Sequence, residues 1–111
     1  MPEPSLIQVF GAGASQTATN FTILKADLAT VGLTASATNT AESLIVALLL
    51  LAGGYLSTTN QDSTNQDIQI TVTDSGFPQL ISRNSAQWRQ ITYNINLQTP
   101  DSGFVIDPDN Y

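Results

Sequence analysis

Apolar positions along the chain fall into short, separate runs whose spacing predicts alternating strand and helix segments. Leu6-Ile7-Gln8-Val9-Phe10 is apolar and rich in branched and aromatic residues, which predicts a strand. Pro2 and Pro4 ahead of it predict an extended arm over residues 1–5. Gly11-Ala12-Gly13-Ala14-Ser15 ends that strand, and a polar stretch follows. Within residues 22–31, Ile23, Leu24, Leu28 and Val31 share one helical face, with Thr22 or a neighbour as the start and Gly32 as the C-terminal cap. Residues 34–40 are small and polar and read as a connector. Asn39 stands three residues before Glu42, as in a capping box, so a second helix is expected over residues 40–52 and is ended by Gly53-Gly54. Its middle has no polar face beyond Glu42 and Ser43. A helix that is apolar all round has to be covered all round, and one sheet covers one side only. The first helix, the N-terminal strand or a second subunit must cover the other.

The second half of the chain alternates with period two. Thr59-Asn60-Gln61-Asp62 is followed by its copy Thr64-Asn65-Gln66-Asp67, a small tandem duplication expected in a loop. In residues 68–73, Ile68, Ile70 and Val72 are expected to face inward, and Gln69, Thr71 and Thr73 outward. Asp74-Ser75-Gly76 reads as a turn. Residues 77–83 form a weaker strand held to an edge or a strand start by Pro78, and residues 84–87 turn again. Residues 88–98 give the longest predicted strand, with Ile91, Tyr93, Ile95 and Leu97 on one face and Thr92, Asn94, Asn96 and Gln98 on the other. Polar outer faces imply an antiparallel sheet packed on one side. Pro100 stops that strand. Asp101-Ser102-Gly103-Phe104 repeats the earlier Asp74-Ser75-Gly76-Phe77 turn, Val105-Ile106 offers a short strand, and residues 107–111 read as an acidic tail. The expected architecture is α+β, one domain over residues 1–111. It has a leading strand, two helices packed on one face of a small three-strand antiparallel meander, and extended arms at both ends.

Composition narrows the chemistry. The 111 residues suffice for one domain, with a folded surface of ~5,900 Å² against ~17,000 Å² unfolded. Nine acidic and three basic residues give a net charge of −6. Lys25, Arg83 and Arg89 cannot form a basic footprint, which excludes nucleic-acid binding by phosphate neutralisation. Without Cys or His there is no disulfide, thiol nucleophile or Ser-His dyad, and the commonest metal ligand and proton shuttle are missing. Charged residues make up 11% of the chain, well under the usual quarter, and Thr, Ser, Asn and Gln take their place. Such a surface suits a protein much of which faces other protein, and equally a soluble, mildly acidic domain kept apart from its neighbours by its net charge. The longest apolar run, residues 44–52, is short of the ~20 residues a spanning helix needs and is expected to be a buried helix. Residues 1–4 lack the basic and apolar regions of a signal peptide.

Candidate chemistry is sparse. Gly11-Ala12-Gly13 invites the dinucleotide fingerprint, but Gln16 stands where its third glycine belongs, and the bland reading is a flexible turn. Asp62 and Asp67 with Asn60 and Asn65, and Asp101, Asp107 and Asp109 in the tail, are oxygen-rich but lack the spacing of a Ca²⁺ loop. Asp27 and Glu42 sit near helix caps, where they complement the dipole. The expectation is no catalytic residue, no cofactor and no metal ligand. Trp88 and Arg89, with Tyr55, offer an aromatic–Arg contact of the kind found at binding hot spots, whereas Tyr93 shares the inward face and reads as core. Asn20-Phe21-Thr22 matches a glycosylation acceptor by chance.

Three segments carry a resemblance. They are Thr22-Ile23-Leu24-Lys25-Ala26-Asp27-Leu28, then Gly32-Leu33-Thr34-Ala35-Ser36-Ala37-Thr38-Asn39-Thr40-Ala41-Glu42-Ser43-Leu44, and the Trp88-Arg89 entry into an alternating strand. In these the chain resembles the small structural proteins encoded beside capsid genes in tailed bacteriophages, those of cyanobacterial phages among them. The resemblance implies a virion component assembled in the host cytoplasm: a capsid decoration (cement) protein, or else a head–tail or tail component. It implies a homo-oligomer, commonly a trimer, that bridges subunits of the major capsid protein, with no membrane and no nucleic acid as partner. It brings no site residues. The competing expectation is a peptide- or glycan-binding module that uses Trp88, Arg89 and Tyr55.

Overall fold

The structure, a computed structural model, describes residues 2–63, 66–100 and 105–111. The chain does begin with an apolar element, but that element is a helix, α1 (Leu6–Phe10), and not a strand. A capping box decides it. Ser5 Oγ accepts from the Gln8 N–H (3.1 Å) while Gln8 Oε1 accepts from the Ser5 N–H (2.9 Å). Gly11, at φ 98°, ends the helix.

Next comes a minimal hairpin, β1 (Ser15–Gln16) and β2 (Phe21–Thr22), closed where Thr17 Oγ1 accepts from the N–H groups of Thr19 and Asn20. The hairpin takes Thr22 out of the predicted helix. What remains is α2 (Lys25–Leu28), continued by a 3₁₀ turn (Ala29–Val31) and capped, as expected, by left-handed Gly32. The rings of Phe10 and Phe21 meet edge to face, with centroids 4.9 Å apart.

Helix α3 (Ala41–Tyr55) starts where the sequence predicts, but Thr40 caps it, through Oγ1 to the Ser43 N–H (3.1 Å). Asn39 instead ties the connector, accepting from the Ser36 N–H and donating to the Thr34 carbonyl. The helix also passes through Gly53-Gly54, which were expected to end it, and stops at Tyr55. At Leu56 the carbonyl turns to accept from the Val72 N–H at 2.8 Å, which locks the helix end to the sheet. Ser57 Oγ then accepts from the Asn60 N–H, and Asn60 Nδ2 donates to the Tyr55 carbonyl. These bonds turn the first part of the expected loop into a short helix, α4 (Thr58–Ser63).

The predicted three-strand meander is a two-strand ribbon instead. Strand β3 (Ile70–Asp74) pairs antiparallel with β6 (Tyr93–Leu97), from Ile70↔Leu97 to Asp74↔Tyr93. Between them run β4 (Gln79–Arg83) and β5 (Ala86–Gln90), paired from Gln79↔Gln90 to Arg83↔Ala86. The strand expected over residues 88–98 breaks at Ile91-Thr92, because the opposite strand inserts residues 75–78 there. The Ser75 N–H to Thr92 carbonyl bond (2.9 Å) carries the ribbon across the break. At the tip Asn84 and Ser85 both hold positive φ (51° and 59°), which suits the tight hairpin turn that matches strand twist. Helices and small antiparallel sheets together make an α+β fold.

The ends are not the extended arms expected, since both lie against the body. The Asp67 N–H donates to the Pro2 carbonyl, and Tyr111 lines a groove with Glu3, Pro4, Val9 and Ile70. Val105-Ile106 forms no strand and is exposed. The tail itself closes in a 3₁₀ turn (Pro108–Asn110) whose Asp107 carboxylate accepts from the Asp109 N–H.

The apolar core is small. Val9, Leu28, Ala47 and Ile68 are its buried members. Thr71, expected to face outward, is the most enclosed of the described residues at 1% exposure, and its hydroxyl accepts from Asn96 Nδ2. Exposed surface totals 8155 Å², against ~5,900 Å² for a compact chain of this mass. The radius of gyration is 16.2 Å, where ~13 Å would be usual. The molecule leaves much of its apolar surface uncovered.

Candidate interaction surface

Apolar side chains are exposed at several places, Ile95 and Leu97 of β6 among them, and two of these places form continuous features. The first lies on α3. Thr40 fixes the start of the helix and Gly53 sets its approach to the sheet, so its orientation is determined at both ends. Yet Ala47 is the one α3 residue that is fully buried. Ile45 is 61% exposed, Val46 54% and Leu50 37%. The helix expected to be buried is therefore open along one side. Val46 and Leu50 form the floor of a groove of about 340 Å³ walled by Val31 and Leu33 beyond the 3₁₀ turn, with Glu42 at its rim.

The second region is the β4–β5 arm. Ile81 and Trp88 are cross-strand partners on one face, and Leu80 and Arg89 on the other. Leu80 is 67% exposed, and Phe77 and Ile91 at the arm's base are exposed too. Trp88 is held in place: Nε1 donates to the Arg83 carbonyl at 3.0 Å, and the Arg83 guanidinium lies over its ring at 4.7 Å. One face of the arm thus carries a fixed aromatic–cation pair, and the other an open Leu80 beside Arg89.

Charge separates the two regions. The arm carries Arg83 and Arg89 and no acid, hence +2. The rest of the chain holds all nine acids and Lys25, hence −8, which makes up the net −6.

The other sequence candidates are engaged within the fold. Gly13 N–H donates to Asp27 Oδ2 at 2.9 Å, so the glycine loop is held by a carboxylate of its own chain. A Cβ at Gly13 would overlap Leu24 Cδ1, and one at Gly11 would stand 2.5 Å from Asp27 Cβ. The loop is a packed corner against α2, not a flexible turn. Asp62 is exposed on α4, while Asn65 and the whole turn from Asp101 to Phe104 lie outside the described residues. Among the described residues no three acidic, His or Cys side chains come together. Tyr55 hydrogen-bonds Gln66 and is part-buried, so it does not join Trp88 and Arg89 in one patch. Tyr93 is half-buried. Arg83, Leu80 and Phe77 were missed as surface residues. The Asn84-Ser85 pair between two alternating runs was the available signal for a hairpin tip.

The chain matches no family model, no curated protein and no solved structure.

Proposed function

We propose that this protein is a non-catalytic assembly protein that joins copies of itself to one another and to a larger shell. The particular setting we propose is a phage particle, with the chain acting as a capsid decoration protein across neighbouring capsid subunits. The observation that carries the assembly reading is the open side of α3. Full burial of such a side chain brings roughly 1.5–3 kcal/mol, and a part of that is still to be gained at Ile45 and Val46, which stay more than half exposed, and at Leu50, 37% exposed. Low charge and abundant Thr, Asn and Gln favour the same reading, since they suit a polar rim of direct hydrogen bonds. The phage setting is supported by the sequence resemblance. Many weak identical contacts on a shell would add up by multivalency, and the sum would resist internal pressure. The test is co-sedimentation with capsid shells from a candidate phage. Saturable binding in a fixed ratio to capsomers supports the setting, and recovery wholly in the supernatant contradicts it.

One observation favours a second reading, burial of α3 in a membrane. Counted through to α4, the segment Ala41–Ser63 is long and apolar enough to cross a bilayer, with mean hydropathy 1.6 and 6% of its window buried. Two features favour a protein partner instead. Helical bonding is interrupted at Leu56, whose carbonyl binds Val72, and α4 is polar throughout. The apolar stretch, residues 44–56, spans ~20 Å as helix, against ~30 Å of hydrocarbon. Flotation with lipid vesicles separates the two: the assembly reading expects no protein to float.

A further inference from the structure

We propose that the β4–β5 arm of one copy docks into the α3 groove of a neighbouring copy, with Leu80 as the apolar anchor and Arg89, its cross-strand neighbour, facing Glu42. This rests on the assembly reading and specifies which surfaces meet.

Three observations lead to it. The arm is electropositive and the body strongly negative, so a body attracts another copy's arm while two bodies repel. An isolated two-strand ribbon is marginal in water and has both edges unpaired, so the arm gains most from a surface that covers it. The surplus exposed area of the chain is about 2,200 Å² over a compact molecule of its mass. Arm and groove are different surfaces, so the contact is head-to-tail, and copies linked that way close into a ring or run on as a filament. In a ring every copy gives one arm and one groove. Arg is also among the residue types that most often dominate such contacts.

The absence of cysteine makes a direct test clean. Gln87→Cys, exposed on the Arg89 face of the arm, and Ser43→Cys, at the groove, are made as separate single variants, mixed and mildly oxidised. The mixed disulfide is expected to form in clear excess over either self-linked product. It is also expected to exceed links to a control, Ala18→Cys, in the β1–β2 turn. Native mass is measured on the same unoxidised samples. An oligomer without the mixed disulfide overturns the arm-in-groove contact and leaves assembly standing; a monomer at all concentrations overturns both. Charge reversal gives a second, independent reading. Arg89→Glu alone is expected to weaken association about tenfold, and Arg89→Glu with Glu42→Arg to recover most of it. No recovery contradicts the pairing.

Discussion

Gly53 of α3 lies directly against Val72 of β3: a Cβ built on Gly53 would stand 3.2 Å from both Cβ and Cγ1 of Val72. The neighbouring Gly54 has nothing within 4 Å of the same position. Two adjacent glycines in one helix therefore have opposite reasons to be tested. Gly54→Ala replaces a glycine of the last helical turn where a Cβ meets open space, and should stabilise by up to about 0.5 kcal/mol. Gly53→Ala needs Val72 to give by a few tenths of an ångström; because Val72 is held in the β3–β6 pair, the change should destabilise by about 1 kcal/mol, overpacking outweighing the propensity gain. Thermal melting of both variants checks this, with Gly54→Ala above the parent and Gly53→Ala below it.

Asp27 and Gly13 form a second point where helix and loop are joined. Asp27→Ala removes the acceptor of the Gly13 N–H and should cost about 1–3 kcal/mol. Gly13→Ala should cost less than Asp27→Ala, since its Cβ displaces the half-exposed Leu24 side chain, which is free to turn aside. Urea unfolding should show a lowered midpoint for each at unchanged slope.

Ser5→Ala removes one arm of the capping box on α1 and should cost about 1 kcal/mol. Hydrogen exchange should speed up at Gln8 and Val9, with residues 79–90 unaffected.

Val46→Glu places a charge on the open side of α3, where the isolated chain already leaves Val46 54% exposed. Monomer stability should change little. Association should weaken by about 30-fold or more, as expected when a buried anchor worth ~2 kcal/mol is replaced. Sedimentation across a concentration series reads the second quantity and circular dichroism the first.

The parts of this fold that were legible in the sequence are those set by local signals. The Asn39–Glu42 spacing places the start of α3, although Thr40 is the residue that caps it; Gly32 caps the 3₁₀ turn, and alternation locates both strands of the ribbon. What was not legible depends on contacts between distant residues. Gly53-Gly54 looks like a stop, and only the approach of Val72 gives Gly53 another purpose. Residues 88–98 look like one strand, and only the insertion opposite, at residues 75–78, breaks it. Thr71 looks like an outward residue until Asn96 supplies its partner. The α1 error is of another kind. Its Ser5–Gln8 capping box was present in the sequence, but branched and aromatic composition pointed the other way over so short a run.

The same division holds for the candidate surface. The uniform oiliness of α3 was plain from residues 44–52, although it suggested a helix fully covered rather than one left open. Trp88 and Arg89 stand out as a candidate contact, whereas Leu80 reads as an ordinary residue of a weak strand. Their exposure follows from the ribbon having no third strand, which no local pattern encodes.

The most direct test of the central claim is the native mass in solution, by light scattering over a range of concentrations. The account predicts a multiple of the 11.8 kDa chain that falls to a single chain in Val46→Glu. A native protein that stays at one chain at every concentration would contradict it.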